Sequence, residues 1–349
     1  MKRPVITILL IIFVLVLAAG GALAFNDWQL PLNVNIPTYN PPVHTPKKLT
    51  SLFFAGDIML SRNVGTKIVE ANDVNLPYMN VKDVIESADI SFANLESPFN
   101  DQGPRVTEGL VFKAEPKTVT GLVNAGFDIL STANNHAYDQ GKYGIEYTVN
   151  WLKQNGIDPL GTGTSCHDGR IEEANGIKFG YLGYSYTAHN DGGKVPDPIV
   201  CDWTNTEQVV KDIQTLKPQV DFLIVSAHMG TEYHRTPNDS DVAGAHAAID
   251  AGADLFIGHH PHWIQTTEQY KGKYIFYSLG NFVFDQMWSQ DTKEGLAVSV
   301  LLDEKNISRI KLMPVVIENF CCPRWATDDE TKTILNKINL TEPVLFDKN

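Results

Sequence analysis

TEQVVKDIQTLKPQVDFLIVSAHMGTEYH, residues 206–234, holds a complete helix-to-strand unit that runs into histidine. Val209, Val210, Ile213 and Leu216 recur at helical spacing, so 206–217 predicts an amphipathic helix with one apolar stripe. Pro218 stops it, because proline has no amide proton to extend the ladder. VDFLIVSA at 220–227 then reads as a strand buried on both faces, the kind found in parallel sheets between helices. His228 and Glu232 follow where that strand emerges. The unit predicts an α/β architecture with chemistry gathered at the carboxyl ends of strands.

The same alternation extends in both directions. Short apolar strands are expected at 52–56, 90–95, 127–133, 177–184, 253–259, 273–280, 296–302 and 307–317. Helical patterns lie near 79–88, 116–125, 143–154 and 240–251, and 327–338 resembles a capped surface helix. The segment 273–317 is more nearly all-β and predicts a second sheet. Ligand-type side chains sit at or just past strand ends: Asp57, Glu96, Asn134-Asn135-His136, His228 and His259-His260-Pro261-His262. Each alone has a plainer reading. Asp57 also fits a turn or helix N-cap, Glu96 is equally ambiguous, and His136 also fits a buried, hydrogen-bonded histidine. Together they point to one crevice. Imidazoles, carboxylates and an amide oxygen suit Mn²⁺, Zn²⁺ or Fe better than Mg²⁺ or Ca²⁺, which prefer all-oxygen shells.

The N-terminus is a separate element. Lys2 and Arg3 precede an uncharged run at 4–25, long enough as a helix of about 33 Å to span a bilayer core. Basic residues before the run and Asp27 after it place the bulk of the chain outside the membrane. Ala22-Leu23-Ala24 also fits a cleavage site, so the run reads as a single-pass membrane anchor or as a signal peptide that leaves a secreted protein. Residues 26–48 are rich in proline and read as an extracytoplasmic stalk. The working domain is expected at 49–320, with a C-terminal tail at 321–349. A net charge of −13 and no long basic run exclude nucleic acid as an expected partner. Cys166 and Cys201 fit a disulfide, and the adjacent Cys321 and Cys322 fit bonds to other partners; four cysteines allow three complete pairings that the sequence does not rank, and inert thiols fit as well.

AGDIMLSR (55–62), FANLESP (92–98), STANNHAYDQG (131–141), AHMGTEY (227–233), AGADLFIGHHPH (251–262) and YSLGNFVFDQ (277–286) occur in that order. From about Leu49 to Phe284 the chain resembles the CapA/PgsA family, known for poly-γ-glutamate capsule biosynthesis, a branch of the calcineurin-like metallophosphoesterase superfamily. The resemblance implies a four-layer α-β-β-α metallophosphoesterase-like sandwich with a two-metal centre. It makes Asp57 and His262 ligands of a first metal and Glu96 the bridging carboxylate. Asn135, His228 and His260 become ligands of the second metal, and His136 the proton donor to a leaving group. Arg62, Asp139, Glu232, Asn281 and Asp285 are candidates for substrate contact or for supporting the ligands. Two departures stand out. Met59 occupies the position of a first-metal histidine, and Glu96 replaces an aspartate. A thioether is a poor ligand for such a dication, so the first metal is expected to bind weakly or to recruit a neighbour such as His259. The implied partners are the membrane and an anionic surface polymer or the subunits that make and export it. Three functions fit: a membrane-anchored metal-dependent enzyme or enzyme-like subunit of capsule synthesis, a general extracytoplasmic metallophosphoesterase, or a non-catalytic assembly subunit.

Overall fold

The apolar strands assemble into two sheets in the computed structural model, which describes residues 49–187 and 199–348. The first sheet is built around β1 (Thr50–Ile58), with β2 (Ile90–Leu95), β3 (Ile129–Ser131) and β4 (Asp158–Leu160) following in parallel on one side. On the other side β12 (Glu294–Asp303), β13 (Asn306–Glu318) and β14 (Cys322–Trp325) run antiparallel to their neighbours. Two short strands complete it: β11 (Asn281–Val283) pairs with the end of β1, and β15 (Val344–Asp347) with β13. The second sheet has the order β5-β6-β7-β8-β10-β9. Its centre is parallel: β6 (Ile177–Ser185), β7 (Phe222–His228), β8 (Leu255–His259) and β10 (Lys273–Phe276). Antiparallel β5 (Arg170–Ala174) and β9 (Thr267–Tyr270) form its edges.

The sheets pack face to face. Leu52, Phe54, Ile90 and Phe92 of the first share one buried cluster with Tyr181, Ile224, Ile257 and Phe276 of the second. The rings of Phe92 and Tyr181 stack across the interface at 6.1 Å. Each such side chain taken fully out of water contributes about 1.5–3 kcal/mol. Helices cover the outer faces. α1 (Arg62–Ala71), α2 (Lys82–Ile85), α3 (Val119–Ala125) and α4 (Gly141–Gln154) set Val64, Ile68, Ile85, Leu122 and Leu152 against the first sheet. α5 (Thr206–Leu216) and α6 (Asp239–Ala251) set Val209, Ile213, Ala245 and Ile249 against the second. The result is the expected α-β-β-α sandwich.

Two details differ from the sequence reading, and one that it left open is decided. β12 and β13 extend the first sheet beside β1, and only β10 of the segment 273–317 joins the second. Strand periodicity reports which residues face the core but not which sheet accepts them. The boundary at 320 falls inside the first sheet, because β14 and β15 flank α8 (Asp328–Asn336) and both pair with β13; the short α7 (Gln290–Lys293) leads into β12. Cys321 and Cys322 are bonded to each other, and Cys166 is bonded to Cys201. The apolar run at 4–25 and the stalk at 26–48 lie outside the described residues. Among the described residues no helix is long and apolar enough to cross a membrane.

Candidate metal centre

Parallel strands of both sheets deliver their carboxyl ends to one place. By strict alternation Leu52 and Phe54 of β1 face the second sheet and Asp57 would face the helices. The pairing of β1 with β2 shifts register between Phe54 and Asp57, and beyond the shift Asp57 pairs with Asn94. A bulge of this kind re-aims a side chain, and Asp57 now points to the inner face, fully buried. β2 carries Ile90, Phe92 and Asn94 on that face, and Glu96 follows its end. On the second sheet, Phe222 and Ile224 lead to His228 on β7, and Leu255 and Ile257 lead to His259 on β8. His260 and His262 both have left-handed backbone, with φ of 99° and 57°, which turns the loop back over the strand ends.

The predicted ligands converge. Donor atoms of Asp57, Glu96 and His228 lie within 4.8 Å of one another. His228 Nε2 is 2.7 Å from Asn135 Oδ1 and 3.1 Å from His260 Nδ1. His262 Nε2 is 3.8 Å from Glu96 Oε1, and its Nδ1 contacts Asn281 Oδ1 at 2.9 Å. His136 faces Glu96 Oε1 with Nε2 at 3.8 Å, while its Nδ1 meets Asp139 Oδ2 at 2.7 Å. His259 Nδ1 lies 3.3 Å from Asp57 Oδ1. Arg62 forms an ion pair with Asp285, which also accepts from the Asn63 amide groups. Glu232 is half-buried beside the centre, where its charge acts on Glu96 and His262. Met59 lies in the core and its sulfur accepts the Ser61 N–H at 3.0 Å, so it offers the centre nothing.

Two contributors escaped the sequence reading. Asn94 donates to Asp57 Oδ1 at 2.8 Å, touches His228 Nδ1 at 3.2 Å and is itself held by Asn134. A buried amide ending the apolar stripe of 90 and 92 was the available signal. Phe112 stacks on the His136 ring at 3.8 Å, and its backbone N–H donates to Asp139 at 2.5 Å. Nothing in the local pattern marks that contact, which links residues far apart in the chain. The Cys166, His167 and Cys201 donors also cluster, but the two sulfurs are bonded to each other.

The electrostatics are compatible with a bound cation. Burial, then neighbouring imidazoles, hold His228 well below the usual histidine range, and burial takes His260 down to about 3. Both rings are therefore neutral, as ligation requires. Burial pushes Asp57 up, but His259, His262 and Asn94 outweigh it and keep its carboxyl below the ordinary value. Glu96 goes the other way. Burial first, then the charges of Asp57, Glu232 and Asp139, push its carboxyl well above the usual range. Both Glu96 oxygens are buried without a hydrogen-bond partner. Such an orphan carries a large desolvation penalty unless a cation offsets it, so this donor set fits a divalent metal.

Comparison with known proteins agrees with the motifs. A family model described as "Bacterial capsule synthesis protein PGA_cap" matches residues 51–286. "PGA biosynthesis protein CapA" of Bacillus subtilis (strain 168) is 32% identical over 308 residues, covering 84% of this chain and 80% of that protein. "Capsule biosynthesis protein CapA" of Bacillus anthracis is 30% identical over 293 residues, covering 80% and 70%. Among solved structures, the NAD nucleotidase NadN of Haemophilus influenzae aligns with a TM-score of 0.48 and 13% identity, over 86% of this chain and 64% of that one. The matched span contains every residue of the centre, and the chain belongs to the bacterial capsule synthesis family PGA_cap.

Proposed function

We propose that this chain is a membrane-anchored, extracytoplasmic subunit of capsule-polymer synthesis with a two-metal hydrolytic or transfer centre. One observation carries the metal reading: Glu96, fully buried with both oxygens unpaired, among neutral imidazoles and the Asp57 carboxylate. Asp57 and His262 would hold one ion and Asn135, His228 and His260 the other, with the Glu96 carboxylate available to both; Mn, Zn or Fe suit these donors. When bound, such ions activate a water and neutralise charge on substrate oxygens. The chain's own groups do the rest. Asp139 accepts from His136 Nδ1, fixes the ring and would stabilise its imidazolium form, in which Nε2 carries the second proton for delivery to a leaving group. Phe112 packs on the ring and limits its rotation. Asn281 orients His262 through Nδ1 and leaves Nε2 for the metal. Arg62 is bound to Asp285 and shapes the rim more than it binds an anion.

The anchor follows from the uncharged run at 4–25 and the basic residues before it. The relatives' names point to a capsule polymer, and an anionic amide-linked chain is the substrate class proposed here. The test is to purify the compact unit Lys47–Asn349, measure bound metal, and assay γ-glutamyl polymer beside simple phosphoesters. Two ions and His136-dependent turnover of the polymer support the proposal. Turnover of phosphoesters alone makes the protein a general phosphoesterase, and metal without turnover makes it an assembly subunit.

A further inference from the structure

His259 is buried to 1% exposure, and neither of its ring nitrogens makes a hydrogen bond. It continues the inward stripe of Leu255 and Ile257, with the Phe92 ring 6.0 Å away, where packing alone calls for an apolar side chain. A neutral imidazole here leaves one donor and one acceptor unsatisfied, a cost that native interiors rarely carry without a reason. The ring is not stranded at random. Its Nδ1 lies 3.3 Å from Asp57 Oδ1, and β8 pairs His259 with His228 across the sheet.

That separation is informative because it lacks the alignment of a hydrogen bond. Two donors bonded to one ion at about 2.0–2.2 Å, near the tetrahedral angle, stand about 3.3–3.6 Å apart. The pair Asp57 Oδ1 and His259 Nδ1 has that spacing. Met59, two residues beyond Asp57 on the chain, has its sulfur committed to the Ser61 N–H. Resting on the metal-binding reading above, we propose that His259 is a further ligand, through Nδ1, of the ion held by Asp57. The imidazole reaches the centre from β8 and completes a coordination shell that β1 leaves short.

The test uses the full-length protein in detergent, stripped of metal and titrated separately with Mn²⁺ and Zn²⁺, with bound metal counted by mass spectrometry. Wild type is expected to bind two ions per chain. His259→Leu is expected to lose one of them or to bind it at least about tenfold more weakly. Melting gives a second readout with opposite signs. Without metal, His259→Leu melts at or above the wild-type temperature, because an unsatisfied polar ring is gone. With metal, its upward shift is smaller than that of wild type. His259→Gln, which keeps polarity but removes the imidazole, is expected to match the leucine variant in metal binding. A folded variant with two ions at wild-type affinity overturns the proposal. So does an equal loss of melting temperature with and without metal, which marks a packing role. Wild type that binds no ion defeats the metal reading itself, whereas two ions in both proteins defeats only the assignment of His259.

Discussion

His136 lies between two carboxylates that differ in what they can accept from it: Asp139 contacts Nδ1 at 2.7 Å, and Glu96 faces Nε2 at 3.8 Å. If Nε2 supplies the leaving-group proton, His136→Ala should cost about 10²- to 10⁴-fold in turnover of an amide or alkyl ester. The loss should be far smaller for a nitrophenyl ester, whose leaving group needs no proton, and metal content should stay at the wild-type level. Comparing the two substrates with one protein preparation checks this. Glu96 yields a second prediction. Its folded-state value is raised, so in the metal-free protein the native state binds more protons than the unfolded chain above the ordinary value of 4.5. Its contribution therefore falls as pH rises from there, by about 1.4 kcal/mol per pH unit until the folded-state value is reached. The stability of Glu96→Gln minus that of wild type should grow with pH in urea titrations without metal, and the trend should disappear when metal is supplied. Both residues were legible in the sequence only in company, because each alone has a plainer structural reading and it is several ligand-type side chains at strand ends that point to one crevice. Asn94 was less so: an amide closing the apolar stripe of 90 and 92 is a signal, but one that does not say which partner it holds.

Elements, more than single residues, decide whether these groups meet. The register shift in β1 is what turns Asp57 inward, and period-two reading of the sequence cannot reveal it, because a bulge depends on the partner strands. Gly56 permits the turn: a Cβ there would lie 2.0 Å from the Gly280 carbonyl oxygen, which belongs to backbone and cannot swing away. Gly56→Ala should therefore force β1 and the chain before β11 apart, cost about 3 kcal/mol in urea unfolding, and weaken metal binding together with stability. Helix α5 and strand β7 were readable almost to the residue, because their pattern is local and proline marks the junction. The place of β12 and β13 was not, since pairing with β1 across more than 200 residues is a tertiary choice. The Cys166–Cys201 bond spans 35 residues and ties the start of β5 to the chain before α5. Loop-closure entropy gives such a crosslink about 3–4 kcal/mol. Cys166→Ser with Cys201→Ser should show that loss in unfolding under oxidising conditions, and a dithiol should bring wild type to the same value.

At the scale of the whole molecule, charge sets a condition on function. The chain carries a net −13, and among the described residues Arg62 is committed to Asp285, Arg235 to Asp291, and Lys113 to three backbone carbonyls. Asp57, Asp139 and Glu232 add negative charge where a polymer would have to approach. An anionic chain is therefore repelled unless divalent ions reverse the local sign, as the summed field of a protein governs encounter with charged ligands. The composition made this conflict visible at once, while its resolution needed the converging strand ends of both sheets. Binding of poly-γ-glutamate should accordingly be conditional on metal. Metal-stripped protein should show no measurable binding by sedimentation or calorimetry. Mn²⁺ or Zn²⁺ should restore it in wild type but not in Asp57→Asn combined with His228→Ala. Raising salt should help the stripped protein slightly, by screening repulsion, and weaken the loaded one, by screening attraction. Equal affinity with and without metal would place the polymer elsewhere on the surface and detach the centre from polymer recognition.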